Sequence, residues 1–305
     1  MNAPGTKRLV LASPFHPQPR AKVIRAGKTW AREKLELLRY YLGGTRYKGG
    51  GFMMATKRAR ATYYIDLFSG PGQTSLPSGE ILDGSPLIAA KASPHFSQLF
   101  WVDADRKNAS SLASHRLDYP DLNVEVYWAD ANAAIDAILA KLPRSDPVLA
   151  FLDPEGSELD WQTIEKLARH KAANARKIEL FILFASDTGI VRFFPRDPTK
   201  LVHADKIDRM MPDAGRWRNL YQQRAELSPA EFRRGLLDEY VRGLRSLGYL
   251  HVPAPRLIQR PDGRPLYFMV FASDDPAGDK IMTAALRRVE DSLRQKTFLP
   301  YEQRY

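Results

Sequence analysis

Short, largely apolar segments that alternate with amphipathic ones place the strongest limit on the fold of this chain. Five such segments, at residues 63–68, 98–102, 124–128, 148–152 and 178–184, are rich in β-branched and aromatic residues. The first four are each followed by a segment with helical spacing of its apolar residues. Strands that are apolar on both sides are typical of a parallel sheet covered by helices on both faces. The pattern therefore predicts a doubly wound α/β fold, in which ligands bind beyond the carboxyl ends of the strands.

The sequence around these segments predicts a helix before the sheet and a hairpin after it. Residues 30–42 carry leucines at helical spacing, and Gly43-Gly44 would end that helix. Residues 256–259 and 266–272 flank the turn Pro261-Asp262-Gly263, which predicts a C-terminal antiparallel hairpin.

Two parts of the chain interrupt this organisation. We expect no stable structure of its own for residues 1–27, which are basic and contain several prolines. Residues 190–227 read as an irregular, arginine-rich insertion that ends at the capping box Ser228-Pro229-Ala230-Glu231. Aspartates alternate with the arginines of this insertion. The arginines could therefore bind the phosphates of a nucleic acid, or they could form part of a solvated surface of mixed charge. We therefore predict one α/β domain over residues 30–305 after a basic, flexible tail over residues 1–29.

Lysine and arginine are concentrated at the start of the chain. Residues 1–60 carry a net charge of +12, whereas the remaining 245 residues carry −1. Such a segment is typical of proteins that bind a polyanion, most often nucleic acid. A solvated tail and an organellar transit peptide are alternatives, although Pro14, Pro17 and Pro19 disfavour the helix that a transit peptide forms. The candidate phosphate-binding residues are Arg20, Lys22, Arg25, Lys28, Arg32, Lys34 and Lys48.

Several kinds of site are excluded by the residues that the chain lacks. It contains no cysteine, which excludes disulfides, thiolate metal sites and a cysteine nucleophile. Its six histidines form no HxxxH or HxH pair, so we expect no metal site. No apolar run approaches the roughly 18 residues of a membrane span, and no secretory signal is recognisable. We expect a cytoplasmic protein without a membrane partner.

A glycine turn follows the first predicted strand, in the motif Asp66-Leu67-Phe68-Ser69-Gly70-Pro71-Gly72. Glycines at this place let the backbone approach a ligand closely. The spacing is not GxGxxG and no P-loop lysine follows. An acid before a G-x-G turn is the usual construction of a site for S-adenosylmethionine (SAM), with Asp66, Phe68, Gly70 and Gly72 as candidate contacts. A strand-to-helix turn without a ligand is the alternative.

Carboxylates also follow the next two strands. Asp103 and Asp105 stand at the end of the second strand, where a carboxylate can accept both ribose hydroxyls. Asp103 is the preferred candidate, because Asp105 can instead cap the next helix. Asp130 follows the third strand and can accept the adenine amine of SAM, or cap the helix that begins beside it.

The fourth strand ends in Asp153-Pro154-Glu155-Gly156. A carboxylate here would project toward the methyl group of SAM, and an amine nucleophile needs an acceptor for its N–H. Asp153 and the carbonyl of Pro154 are therefore the candidate catalytic groups. An acidic turn without a ligand is the alternative, but acids at four consecutive strand ends are costly without a polar ligand.

Together these motifs resemble the three-Cys-motif partner protein (TcmP) family, whose members are similar to class I SAM-dependent methyltransferases. The resemblance covers roughly residues 30–300. It implies a Rossmann-like fold with a mostly parallel seven-stranded sheet, a SAM pocket, a nucleic-acid substrate and a three-cysteine protein as a possible partner. One stretch also resembles large-subunit rRNA adenine-N6 methyltransferases, Gly84-Ser85-Pro86-Leu87-Ile88-Ala89. The other matching segments are residues 34–42, 64–72, 150–156 and 267–273.

One departure from this resemblance concerns Glu155. Nucleic-acid amino-methyltransferases usually carry an aromatic residue near this position, which stacks on the base and contributes about 1–3 kcal/mol. Glu155 cannot stack in this way. The leading hypothesis is a SAM-dependent methyltransferase that acts on a base amine. The alternatives are a non-catalytic adaptor that binds SAM or nucleic acid, and an enzyme that methylates its partner protein.

Overall fold

The computed structural model describes residues 12–18, 20–28, 30–43, 50–185, 190–195 and 200–298. The strands are β1 (Ile24–Ala26), β2 (Tyr63–Asp66), β3 (Gln73–Ser75), β4 (Ile81–Asp83), β5 (Gln98–Asp103), β6 (Val124–Trp128), β7 (Val148–Leu152), β8 (Glu179–Phe184), β9 (Arg256–Gln259) and β10 (Pro265–Ala272). The α-helices are α1 (Ala31–Leu42), α2 (Gly51–Ala55), α3 (Ser85–Ala90), α4 (Arg106–Arg116), α5 (Ala131–Leu139), α6 (Trp161–Arg169), α7 (Ala204–Met210), α8 (Ala214–Gln222), α9 (Pro229–Ser246) and α10 (Pro276–Phe298).

Seven strands form the central sheet, in the order β6-β5-β2-β7-β8-β10-β9. The first five of these are parallel, and β10 is antiparallel to both β8 and β9. The mixed α/β class and the mostly parallel seven-stranded sheet that the sequence predicts are confirmed. Because β10 runs in reverse, its first residues lie at the edge where the parallel strands end.

Helices cover both faces of this sheet, which explains why its central strands are largely apolar. Every residue of β7 and β8 is buried. One face packs against a core that includes Ile135 of α5, Ile164 of α6 and Leu236 of α9. The other face packs against Leu38 of α1 and neighbouring helices α3, α4 and α10. We refer to the latter as the α1 face.

The N-terminal segment packs against the body of the protein, which differs from the expectation for residues 1–27. Strand β1 pairs in parallel with β3, and β4 completes this small sheet. The backbone N–H groups of Arg20 and Val23 donate to the hydroxyls of Ser114 and Ser111 at 3.0 and 2.9 Å. These partners lie about 90 residues away in the sequence, so a local pattern does not reveal them. Residues 1–11 lie outside the described part.

The insertion at 190–227 contains two helices, α7 and α8, where the sequence predicts irregular structure. Asp213 caps α8 by accepting hydrogen bonds from two backbone N–H groups. Trp217 and Tyr221 of α8 are buried against Phe194. Leu220 of α8 also packs against this core but is only partly buried.

Candidate functional site

Three of the predicted carboxylates project from the α1 face at the carboxyl edge of the sheet. Asp66 pairs in register with Trp101 on one side and with Phe151 on the other. Trp101 and Phe151 belong to the core of the α1 face. Side chains of a strand alternate between the two faces, so Asp103 and Asp153, two residues further on, project from the same face. Asp66 is likewise two residues after a member of that core, so the three carboxylates share one corner of the fold.

The two glycines of the turn after β2 have different surroundings, although both have a positive φ, +62° at Gly70 and +98° at Gly72. A Cβ added to Gly70 would meet no atom within 4 Å. A Cβ added to Gly72 would lie 2.7 Å from the Cδ2 atom of His115. Gly70 therefore borders open space, whereas Gly72 allows the turn to pack closely on α4. The predicted ligand contact has free space at Gly70, whereas His115 fills the space beside Gly72.

Asp66 is fully buried beneath this turn. Its carboxylate accepts hydrogen bonds from the hydroxyl of Tyr64 at 3.2 Å and from the backbone N–H of Phe68 at 3.3 Å. Burial raises the pKa of Asp66 to about 7, although a hydrogen bond from Ser85 opposes this rise. The nearby charge of Asp153 raises the pKa further. Asp66 thus influences the site through its charge and lies below the surface that a ligand would touch.

The side chain of Asp153 forms an ion pair with Lys34 of α1. Burial raises the pKa of Asp153, and the positive charges of Lys34 and Arg25 oppose that rise. The sequence suggests phosphate binding for Lys34, but in the structure its ammonium group contacts the candidate catalytic carboxylate. Within the described residues, Lys34 is the one cation bonded to Asp153, which is partly buried, and Asp66, which is fully buried, bonds to no cation. When Asp66 is ionised, these two carboxylates therefore carry one more negative charge than Lys34 balances.

We expect Asp66 to make the protein less stable as the pH rises from about 4 to about 7. The pKa of Asp66 is 3.8 in an ordinary environment and about 7 in the fold, so the folded protein binds more protons over this interval. The free energy of unfolding then falls with rising pH. An Asp66→Asn variant should gain up to about 4 kcal/mol relative to the wild type across the interval, at about 1.4 kcal/mol per pH unit.

Urea unfolding of both proteins at about pH 4.5 and 7.5 measures this difference. Glu179, whose pKa burial also raises to about 7, is present in both proteins and cancels in the comparison. If the free energies of unfolding of the two proteins changed equally between these pH values, the pKa of Asp66 would not be raised in the folded protein.

The carboxylates after β5 and β6 have mainly local partners. Asp103 accepts hydrogen bonds from the backbone N–H groups of Gly70 and Asp105, each at 2.8 Å. It thereby ties the glycine turn to the second strand end. Asp105 caps α4 and Asp130 caps α5, each through its Oδ1 atom. The structure thus has both residues in the helix-capping role that the sequence offered as an alternative. Both side chains are exposed, and capping uses only one carboxylate oxygen of each.

Most of the candidate phosphate-binding cations are already paired with carboxylates. Arg20 and Lys28 are exposed and form no ion pair within the described residues. Lys48 lies outside those residues. The four ion pairs are Lys22 with Asp118, Arg25 with Glu155, Arg32 with Glu80, and Lys34 with Asp153. Arg25 thus contacts the residue that stands where an aromatic side chain is usual.

A groove of about 470 Å³ lies beside α1 but does not include the carboxylates at the strand ends. Its cations Arg32, Arg39 and Lys91 each form an ion pair with an acid that also lines it. The groove is therefore close to charge-balanced, and it offers no group that is poised for chemistry.

The described residues contain neither a cluster of metal ligands nor a helix suited to cross a membrane. No group of three or more His, Asp or Glu side chains there is arranged to hold a metal ion. None of the helices in that part of the chain combines the length and the apolar character that crossing a membrane requires.

Sequence reasoning missed several polar residues of this site. Tyr64 and Ser85 bond to Asp66, and both lie in segments that carry the family resemblance. Tyr267, near the start of β10, is also buried, and its hydroxyl group has no hydrogen-bond partner in the described part of the chain. Because β10 runs antiparallel, Tyr267 near its beginning lies at the edge where the parallel strands end. The sequence argument considered only residues that follow strands, so it did not find Tyr267.

Comparison with known proteins supports the fold alone. No family model and no curated protein matches the chain, so membership of the TcmP family stays a prediction. Protein LPL1258 from Legionella pneumophila, of the family model DUF519, is similar in structure with a TM-score of 0.50 and 12% identity, over 86% of this chain and 92% of that one. A variant of the 16S rRNA (adenine(1408)-N(1))-methyltransferase from Catenulisporales acidiphilia has a TM-score of 0.35 and 14% identity, over 73% and 89% of the two chains. The second likeness is too low to carry an argument, and the first indicates a shared α/β architecture.

Proposed function

We propose that this protein is a class I SAM-dependent methyltransferase that methylates a base amine of a nucleic acid. The observation that carries the proposal is the cluster of Asp66, Asp103 and Asp153 on one face, beside a glycine turn that borders open space at Gly70. The antiparallel pairing of β9 with β10 at the end of a parallel sheet agrees with the fold that the resemblance implies.

The chemistry of these residues fits a cationic nucleoside. Buried carboxylates in excess of their cations are costly, and a ligand that carries a sulfonium and an ammonium group would relieve that cost. Asp103 and Asp105 would hold the ribose hydroxyls and Asp130 the adenine amine, while Gly70 allows close approach. When bound, SAM supplies a methyl group on a positively charged sulfur atom.

Asp153 and Pro154 would position the amine that receives the methyl group. The Oδ2 atom of Asp153 contacts Lys34, and its Oδ1 atom forms no hydrogen bond within the described residues. That oxygen and the carbonyl of Pro154 can accept the two N–H groups of an amine. Orientation of the nitrogen lone pair toward the methyl group is then the main contribution to the rate.

A nucleic-acid substrate is supported by the basic N-terminal segment and by the family resemblance. A base within a duplex would need to leave the stack, or the substrate would be single-stranded. Phosphate contacts from the N-terminal segment would provide affinity and little sequence information. The three-cysteine protein that the resemblance implies would be a further partner, and the cytoplasm would be the place where this chain acts.

A non-catalytic adaptor is the second candidate, and the Arg25–Glu155 ion pair favours it. This pair occupies the position at which an aromatic residue usually holds the base. A chain that binds SAM or nucleic acid without transferring a methyl group would tolerate such a pair.

Calorimetry with SAM, followed by transfer of a tritiated methyl group to total RNA and DNA, separates these functions. We expect SAM binding and label in one of the two polymers. Binding without label in RNA, DNA or partner protein would favour the adaptor. Failure to bind SAM would refute the cofactor assignment.

The exposed and unpaired cations should dominate the salt dependence of nucleic-acid binding. Each phosphate contact contributes about 0.7 to the slope of log K against log salt for a single strand. We expect an Arg20→Ala/Lys28→Ala variant to reduce the slope by about 1.4, because neither side chain forms an ion pair within the described residues. Lys22→Ala/Arg32→Ala, which removes two ion-paired cations, is the matched control and should change the slope less. Equal slopes for all three proteins would mean that these residues do not contact phosphate.

A further inference from the structure

A buried phenol without a partner lies at the edge of the sheet where the acceptor amine would bind. The side chain of Tyr267 is only 6% exposed, and its hydroxyl forms no hydrogen bond with any residue that the structure describes. A buried hydroxyl without a partner destabilises the folded state, because it has lost its hydrogen bonds to water. Such a group is uncommon in a folded protein and needs a physical reason.

The position of Tyr267 connects it with Asp153. Met269 of β10 pairs with Leu183 of β8, and Ile182 pairs with Leu152 of β7. Tyr267 and Asp153 are therefore separated by a single strand at the same edge of the sheet. Tyr267 belongs to the core of the α1 face, from which Asp153 also projects. The two side chains thus border one region.

The electrostatic surroundings keep the phenol protonated. Burial raises the pKa of Tyr267, and the negative charges of Asp153 and Glu33 raise it further. A phenol in this state has a proton to donate, and no acceptor among the described residues takes it. Asp153, by contrast, can only accept when it is ionised.

We propose that Tyr267 donates a hydrogen bond to a ring nitrogen of the methyl acceptor, next to the amine that Asp153 and Pro154 hold. This inference rests on the proposed function and specifies its substrate class. The acceptor is an amine beside a ring nitrogen that carries a lone pair, as in adenine and cytosine. The hydroxyl of Tyr267 can donate to the ring nitrogen, and the carboxylate of Asp153 can accept from the amine beside it. Tyr267 would also supply some of the orientation that an aromatic residue at position 155 would otherwise provide.

The test measures binding, so it does not depend on turnover. The probes are fluorescent single-stranded oligothymidylates that contain one adenine, 1-deazaadenine, 7-deazaadenine, cytosine or 3-deazacytosine. Loss of one hydrogen bond should weaken binding by about tenfold. We expect the wild type to bind one natural base about tenfold more tightly than its deaza analogue, and Tyr267→Phe to bind the two equally. The analogue that binds more weakly than its natural base identifies both the base and the ring nitrogen that Tyr267 contacts.

Two controls separate this role from a structural one. Tyr249 is buried and donates to the carbonyl of Ile178 at 2.8 Å, so Tyr249→Phe should lower the thermal midpoint. Tyr267→Phe should leave the midpoint unchanged or raise it, since no hydrogen bond of the chain is lost. A lower midpoint for Tyr267→Phe would assign the hydroxyl to the fold and overturn the proposal.

Calorimetry with SAM completes the comparison. Tyr267→Phe should bind SAM as the wild type does. A weaker affinity for SAM would assign Tyr267 to the cofactor and overturn the proposal. The proposal would also be overturned if Tyr267→Phe preferred the natural base over its deaza analogue as strongly as the wild type does. If the wild type binds SAM but does not distinguish either base from its analogue, the inference fails while the cofactor assignment stands. If it does not bind SAM, the proposed function fails, and the deaza comparison still decides whether Tyr267 contacts a base.

Discussion

Asp153→Asn should slow methyl transfer by about 10²–10³-fold. In the proposed reaction the attacking amine gains positive charge as it bonds to the methyl group, and the carboxylate of Asp153 would stabilise that charge. Asparagine retains the shape and one acceptor oxygen but removes the charge. Since Gly70, Asp103 and Asp130 remain, the affinity for SAM should change far less than the rate. Single-turnover transfer and calorimetry measure the two effects separately.

A matched control distinguishes this effect from the loss of an ion pair. Asp136 also pairs with a lysine, Lys166, at 2.8 Å, but this pair joins α5 to α6 away from the site. Asp136→Asn should leave the transfer rate unchanged. Both variants should retain most of their stability, because partly exposed ion pairs contribute about 0–1 kcal/mol. An unaltered rate in Asp153→Asn would remove this carboxylate from the mechanism.

Gly70→Asn should weaken SAM binding by about 10- to 100-fold, because the new side chain enters the open space beside the turn. Asparagine is chosen because it tolerates positive φ better than other non-glycine residues and adds no charge to the site. Its effect should appear in calorimetry with SAM.

Gly79 provides the control for backbone strain. It has a φ of +84°, and a Cβ added there would also meet no atom within 4 Å. Gly79→Asn should therefore lower the thermal midpoint about as much as Gly70→Asn but leave SAM affinity unchanged. Gly72→Asp is less informative, because its Cβ would collide with His115 and destabilise the fold directly. Equal affinities for Gly70→Asn and the wild type would mean that the ligand lies elsewhere.

Much of the central sheet could be predicted because its strands are encoded by local patterns. β6, β7 and β9 have the predicted bounds, and apolar residues fill both sides of β7. The positions of the carboxylates at strand ends could be predicted in the same way, because the end of an apolar run marks the end of a strand. The short strands β1, β3 and β4 were missed, because three residues in each carry too little pattern.

The residues that surround these carboxylates depend on contacts that are distant in the sequence. Lys34 meets Asp153 across 119 residues, and Arg25 meets Glu155 across 130. The sequence presents these cations as a basic segment and does not reveal which carboxylates neutralise them. Their pairing leaves Arg20 and Lys28 as the better candidates for phosphate contacts.

The order of apolar and polar residues is enough to specify the α/β class, the central strands and the acids that follow them, because burial of a strand requires a local run of apolar side chains. Which glycine borders open space, which lysine bonds to Asp153 and how Tyr267 reaches the same edge were settled by packing in three dimensions. The physical reason is that a side chain's surroundings come from elements brought together by the whole hydrophobic core, and no local segment contains that information.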